Sequence, residues 1–248
     1  MLPDFAAPVL ILLGLGALIM GFSKTSVGGL GSLTVAIFAL GMSARESTAT
    51  VLLLAIVGDI VAVSLMGKHC NWRLLLHLVP SVIPGLLLGW AFLYWVDDVT
   101  LRRVIGGLLV ASLLLQWWLR RRDEGPPPEK PHWGAAMAAG TSAGFTTMTA
   151  NAAAPVMALY LMQMGVDKKR FIGTNAWFFA AINLTKVPFA ASIGLMPARN
   201  LILVAWLAPV VLLGTWLGRR FVNRLNQTQF DRFTVLASLV AAVSLLVR

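Results

Sequence analysis

Gly21-Phe-Ser-Lys-Thr-Ser-Val-Gly-Gly-Leu-Gly31 is a polar, glycine-rich break with a lysine near its centre, set between two apolar stretches. A second break, Thr146-Thr-Met-Thr-Ala-Asn-Ala-Ala-Ala-Pro155, occupies the same place relative to its own neighbours in the second half of the chain. Interrupted hydrophobic segments at corresponding positions of two halves point to the binding site of a transporter. Non-helical backbone at membrane depth is tolerated only where protein buries it or where it lines a cavity.

Composition sets the solvent. The 248 residues are 58% hydrophobic and only 12% charged, with a mean hydropathy of +0.80. A soluble domain of this size carries roughly 25% charged residues. The expectation is one all-α, polytopic membrane domain over residues 1–248, in the cell (inner) membrane. The net charge of +10 and pI near 10.9 would suit nucleic acid. The basic residues lie instead in short loops between apolar runs, as the positive-inside rule demands, and no nucleic-acid partner is expected. Cys70 is the single cysteine, so no intrachain disulfide forms. The opening Met-Leu-Pro-Asp has no basic segment ahead of the first apolar run, so a cleaved leader is not expected.

Apolar runs long enough to span a bilayer stand at 47–66, 74–95, 101–119, 171–190, 199–217 and 229–247. Each half opens with a less regular region, 5–40 and 134–164, expected to be a hairpin of short or half-helices around its break. The halves align: Gly41-Met-Ser-Ala-Arg-Glu with Gly165-Val-Asp-Lys-Lys-Arg, Asp59 with Asn183, Pro84 and Gly89 with Pro209 and Gly214, Arg103 with Arg232. The first repeat covers about 5–119 and the second about 133–247. The charged, proline-stiffened tract 120–132 joins them.

Charge placement decides the topology. If each hairpin returns to the side it left, the second half is inverted. The linker side then holds thirteen Lys and Arg and the opposite side five, with Lys24 and Lys186 inside apolar segments. If each hairpin counts as one crossing, the split is ten against eight, which is no bias. Two inverted repeats, each a broken or short helical hairpin followed by three transmembrane helices, are therefore expected. The linker would be cytoplasmic and both termini outside.

The glycine-rich break Gly28-Gly29-Leu30-Gly31 is followed by Gly41 and Ala44 leading into Ser47-Thr-Ala-Thr50. The second half carries Gly165, Gly173-Thr174-Asn175 and Asn183-x-x-Lys186. In these features, spread over nearly the whole chain, the sequence resembles the sulfite exporter TauE/SafE family of membrane permeases. The resemblance implies transport of sulfite, sulfonates or similar small sulfur-containing anions. The chain departs from the family pattern at Ala152-Ala153-Ala154-Pro155, where the second half usually has a glycine triplet, and it lacks a proline after the first-half glycines.

Lys24, flanked by Thr25 and Ser26, is a candidate anion ligand at the first tip, helped by the N-terminus of the next half-helix. The alternative is a lysine snorkelling to the interface. Gly28 and Gly29 allow close approach of backbone or ligand, or serve helix packing. The pairs Gly85/Gly89, Gly140/Gly144 and Gly214/Gly218 are read as packing motifs. Asn151 is expected to open and cap the second half-helix, with Thr146, Thr147 and Thr149 beside it. Asp59 and Lys186, both deep in apolar helices, are expected to meet across the repeat interface. Lys186 would face the anion, with Asp59 as its partner or as a protonatable coupling group; a structural pair or snorkelling is the plainer alternative. Asn175 and Asn183 lie two helical turns apart and can face one cavity. The substrate-binding candidates are thus Lys24, Thr25, Ser26, Gly28, Gly29, Thr149, Asn151, Asn175, Asn183 and Lys186. His77 and the tryptophans near span ends read as interfacial.

No metal-ligand spacing, nucleotide-binding loop or nucleophile–base pair is present in the sequence, so neither enzyme activity, cofactor nor metal is expected. The expected partners are a small anion and the lipid bilayer, with a homo-oligomer left open. The expected function is a secondary transporter exporting that anion by alternating access at the two tips. Its rivals are a proton-coupled uptake permease and a non-transporting membrane scaffold or maturation factor.

Overall fold

The computed structural model describes residues 6–26, 31–101, 133–151, 153–196 and 198–226, and single positions 103, 104, 107, 228, 229, 232, 233 and 236. The linker 120–132 and most of the spans expected at 101–119 and 229–247 lie outside the described residues.

All elements in the described residues are helical: α1 (Ala7–Thr25), α2 (Gly31–Gly41), α3 (Ala44–Met66), α4 (Trp72–Trp95), α5 (Trp133–Ala150), α6 (Ala154–Gln163), α7 (Lys168–Ser192) and α8 (Ala198–Val222). A single 3-10 turn, Gly67–His69, leads from α3 towards α4. Side-chain caps start three of the long helices: Ser43 accepts from the Glu46 amide, Asn71 from the Leu74 amide, and Asp167 from those of Lys169 and Arg170. Each cap satisfies a donor that the helix itself leaves unpaired. Pro80, Pro84, Pro188 and Pro209 lie inside helices, a placement that neighbouring helices make tolerable in membranes.

Four described helices are long and apolar enough to cross a membrane: Ala7–Thr25, Ala44–His69, Trp72–Trp95 and Ala198–Val222. The span expected at 171–190 is the 25-residue α7, which is long enough but too polar to be among them. Asn175, Asn183 and Lys186 dilute its hydropathy, and Asn183 and Lys186 are buried. The hairpins also differ from expectation. They are unequal, not paired half-helices: α1 has 19 residues and α5 has 18, against 11 in α2 and 10 in α6. In the first, the α2 end returns to the α1 start, since a side chain at Gly41 would meet Val9 and Leu13. Thr34 donates to the Gly16 carbonyl midway along the pair.

Contacts give the direction of each helix. Asp59 lies opposite Asn183 and Gly67 against Trp177, so α3 and α7 run antiparallel. Glu46 meets Arg199 and Gly58 packs on Val211, so α3 and α8 run parallel. Gly85 faces Thr141 and Gly89 faces Met148, which makes α4 and α5 parallel; Leu18 against Gly214 and Phe22 against Gly218 do the same for α1 and α8. The glycines are the reason these helices approach so closely. A side chain at Gly144 would collide with the Val82 carbonyl, and one at Gly214 with the Leu18 carbonyl. All three GxxxG pairs act in packing, as small residues do in membrane bundles.

Each hairpin thus packs on a long helix of the other half. One apolar core joins α1, α2, α3 and α8 through Leu13, Phe38, Leu54 and Val211, and a second gathers α4 to α7 through Leu78, Met157, Phe171 and Phe178. Between them lies a polar seam.

Candidate functional site

The seam is a chain of hydrogen bonds crossing four helices. Lys24, in the last turn of α1, forms an ion pair with Asp59 of α3 at 2.7 Å. Its ammonium also lies 4.9 Å from the centre of the Phe179 ring, where the π face attracts a cation. The second Asp59 oxygen accepts from Asn183 Nδ2 at 2.7 Å. Lys186, one turn further along α7, donates to Asn151 Oδ1, to Thr147 Oγ1 at 3.2 Å and to Asn183 Oδ1 at 3.4 Å. Asn151 Nδ2 closes the chain on the Thr48 carbonyl of α3 at 2.8 Å.

Local structure explains the reach of Asn151. It follows the last residue of α5 with φ 49°, in the left-handed region that asparagine tolerates better than most side chains. The kink turns the amide away from its own helix, towards Lys186 and Thr48. Asn151 therefore terminates α5 and does not cap the following helix. The cap of α6 is Ala153, with no side-chain bond, and a proline opens its first turn. Pro155 has no amide to satisfy, so the first turn of α6 carries one unpaired donor fewer.

A cavity of about 40 Å³ opens against this chain, walled by Met20, Ser23, Lys24, Gly31, Ala55, Asp59, Thr147, Asn151, Ala154, Asn175, Ala176, Phe179 and Asn183. Both hairpin ends, α3 and α7 contribute. Of the residues singled out in the sequence, Lys24, Asp59, Asn151, Asn175 and Asn183 line this cavity. Lys186 is 1% exposed and stands behind the wall, touching the cavity only through Thr147, Asn151 and Asn183. Nor does it pair directly with Asp59, as expected; Lys24 holds that place and Asn183 bridges the two. Thr25, Ser26 and Thr149 are not in the wall. Their hydroxyls donate to the carbonyls of Thr215, Phe22 and Phe145: the first bond crosses from α1 to α8, and the other two return to the preceding turn of their own helices. Gly28 and Gly29 lie outside the described residues.

Eight wall residues were not among the site candidates: Met20, Ser23, Gly31, Ala55, Thr147, Ala154, Ala176 and Phe179. Phe179 had a usable signal, since it lies midway between Asn175 and Asn183 on the helix face already assigned to a cavity. Ser23 sits next to Lys24. Met20 and Ala55 are apolar residues in apolar helices, with nothing to mark them. Among the described residues, no group of three or more His, Cys, Asp or Glu is placed to hold a metal ion. The seam brings two lysine side chains, one carboxylate and several amides and hydroxyls together at low dielectric, where each charge acts strongly.

The family model described as Sulfite exporter TauE/SafE matches residues 13–245. The chain belongs to that family. No curated protein and no solved structure matches it.

Proposed function

We propose that this member of the sulfite exporter family is a secondary transporter exporting a small sulfur oxyanion, sulfite or an organosulfonate-type anion, by alternating access around the central cavity. The observation that carries the reading is the Lys24–Asp59–Asn183–Lys186–Asn151 chain, which sets the Lys24 ammonium in the wall of a cavity where both hairpin ends meet and the buried Lys186 behind it. Charge buried at this depth is costly and tends to mark a substrate path. Lys24, Asn151, Asn175 and Asn183 bind the anion, Lys186 polarises Thr147 and Asn151 from behind, and Asp59 holds Lys24 in place and serves as the coupling group where protons are used.

The two halves are inverted repeats of one domain. Support comes from the opposite directions of α3 and α7 and from Asp59 touching Asn183, its own counterpart in the aligned halves. Equivalent positions that touch must straddle the axis relating the halves. With the basic loops inside, the linker is cytoplasmic and the termini are outside the inner membrane. Each elementary charge crossing the membrane is worth about 2.3 kcal/mol per 100 mV, and the interior is negative. An anion therefore leaves without a coupling ion.

Vesicles loaded with sulfite and clamped at an imposed potential test the proposal. Release is expected to be faster when the loaded side is negative and to need no sodium gradient. Absent flux at every potential would leave the scaffold reading. For topology, a cysteine at Glu124 should be shielded from an impermeant thiol reagent in intact cells and one at Asp97 labelled, after Cys70 is replaced. Labelling at Glu124 would overturn the inverted orientation.

A further inference from the structure

We infer that the central cavity is built for a singly charged, proton-bearing oxyanion of three or four heavy atoms, the hydrogensulfite form in place of the sulfite dianion. This inference rests on the anion-site reading above and sharpens it. Charge balance is the first argument. Lys24 and Asp59 compensate one another at 2.7 Å. Lys186 is buried against neutral oxygens of Thr147, Asn151 and Asn183. Among the described residues no ion pair joins it to a carboxylate. Buried charges persist when something compensates them. With the Lys186 amine protonated, one positive charge is left over, and one negative charge closes the balance. A dianion would make the site net negative.

Size and hydrogen bonding narrow the occupant further. The volume of about 40 Å³ corresponds to about three water-sized spheres in the same measure. That admits a compact oxyanion of three or four heavy atoms. Asn175 lines the cavity, and its buried Oδ1 has no partner among the described residues. An unpaired buried acceptor is costly unless a donor arrives. A fully deprotonated oxyanion has none to offer, whereas a hydrogen oxyanion brings one O–H.

The test is saturable binding to the full-length protein in detergent, followed by thermal shift at fixed pH and ionic strength with low-millimolar anions. Lys186→Gln supplies the baseline for general salt effects. Nitrate and hydrogencarbonate are expected to bind wild type at least about tenfold more tightly than sulfate. Asp59→Asn adds one positive charge and should shift the preference towards sulfate. Asn175→Ala should weaken hydrogencarbonate several-fold more than nitrate, because nitrate offers no proton. Sulfate binding as tight as nitrate in wild type would overturn the charge count while leaving the anion site standing. Equal losses of hydrogencarbonate and nitrate in Asn175→Ala would overturn the protonated occupant. If no anion saturates, this inference and the anion-site reading fall together. Should Asp59→Asn prove unstable, the comparison of anions in wild type decides.

Discussion

The two hairpin tips occupy corresponding positions and meet at one cavity, yet they bring positive charge to it differently. The first tip ends α1 with Lys24 in the wall, its ammonium paired to Asp59. The second ends α5 with Asn151, a neutral amide in a left-handed turn, and the cation behind it comes from α7 as Lys186. One tip carries its own charge; the other borrows one through a hydrogen bond. On the proposed inverted repeat, a duplicated scaffold preserves where groups meet, while the identity of each group can change if the local charge is still supplied.

The largest expected effect tests the tip that carries its charge. Lys24→Ala leaves the Asp59 carboxylate buried without its ion-pair partner, and breaking a buried pair from one side typically costs about 3–5 kcal/mol. Thermal unfolding should show a marked loss, and the double variant Lys24→Ala/Asp59→Asn should recover most of it. An unchanged melting temperature in Lys24→Ala would mean that the pair is hydrated and not part of the buried seam.

The supports of the two tips come next. Gly214→Ala and Gly144→Ala each push a methyl group into the backbone of the facing helix, an overpacking that costs about 1–3 kcal/mol. The two losses should be similar if the crossings of α1 on α8 and α5 on α4 are equivalent. A loss confined to one of them would break the comparison.

Asn151 separates backbone from side chain at the second tip. Asn151→Gly keeps the left-handed turn and removes the amide, whereas Asn151→Ala removes the amide and strains the turn as well. Both should lower anion flux about tenfold or more, since one charge-assisted hydrogen bond is worth about 1.5–3 kcal/mol. Only the alanine variant should lose a further ~1 kcal/mol of stability. Wild-type flux in Asn151→Gly would show that the second tip does not borrow its charge through this amide.

The smallest effect concerns the paired starts of α3 and α7. Ser43→Ala and Asp167→Ala each delete a capping acceptor, for about 1 kcal/mol. Neither should alter anion affinity, and a change in affinity would tie these caps to the site.

Much of this was legible in the sequence because membrane depth penalises polar groups. Two lysines, an aspartate and two asparagines inside apolar runs cannot be ignored there, and the structure gathers all five into one seam, with Lys24 where Lys186 was expected beside Asp59. The α3 and α4 spans matched to within a few residues, since length and hydropathy alone define them. The hairpins were misjudged because hydropathy does not reveal that one arm is nearly a full span and the other half of one. Asn151 was misread as a cap because its neighbours suit a helix start, and only its positive φ shows which helix it ends.

The chain by itself therefore determined the solvent it folds in, the spans of α3, α4, α7 and α8 and the polar side chains available to the seam. Each of these follows from local composition and period. Tertiary structure alone decided that Lys24, not Lys186, pairs with Asp59, that Asn183 bridges them and that Lys186 stands behind the wall. Those choices depend on the rotation and register of helices packed from different halves. Glycine contacts between α1 and α8 and between α4 and α5 set that geometry across distances that no local pattern reports.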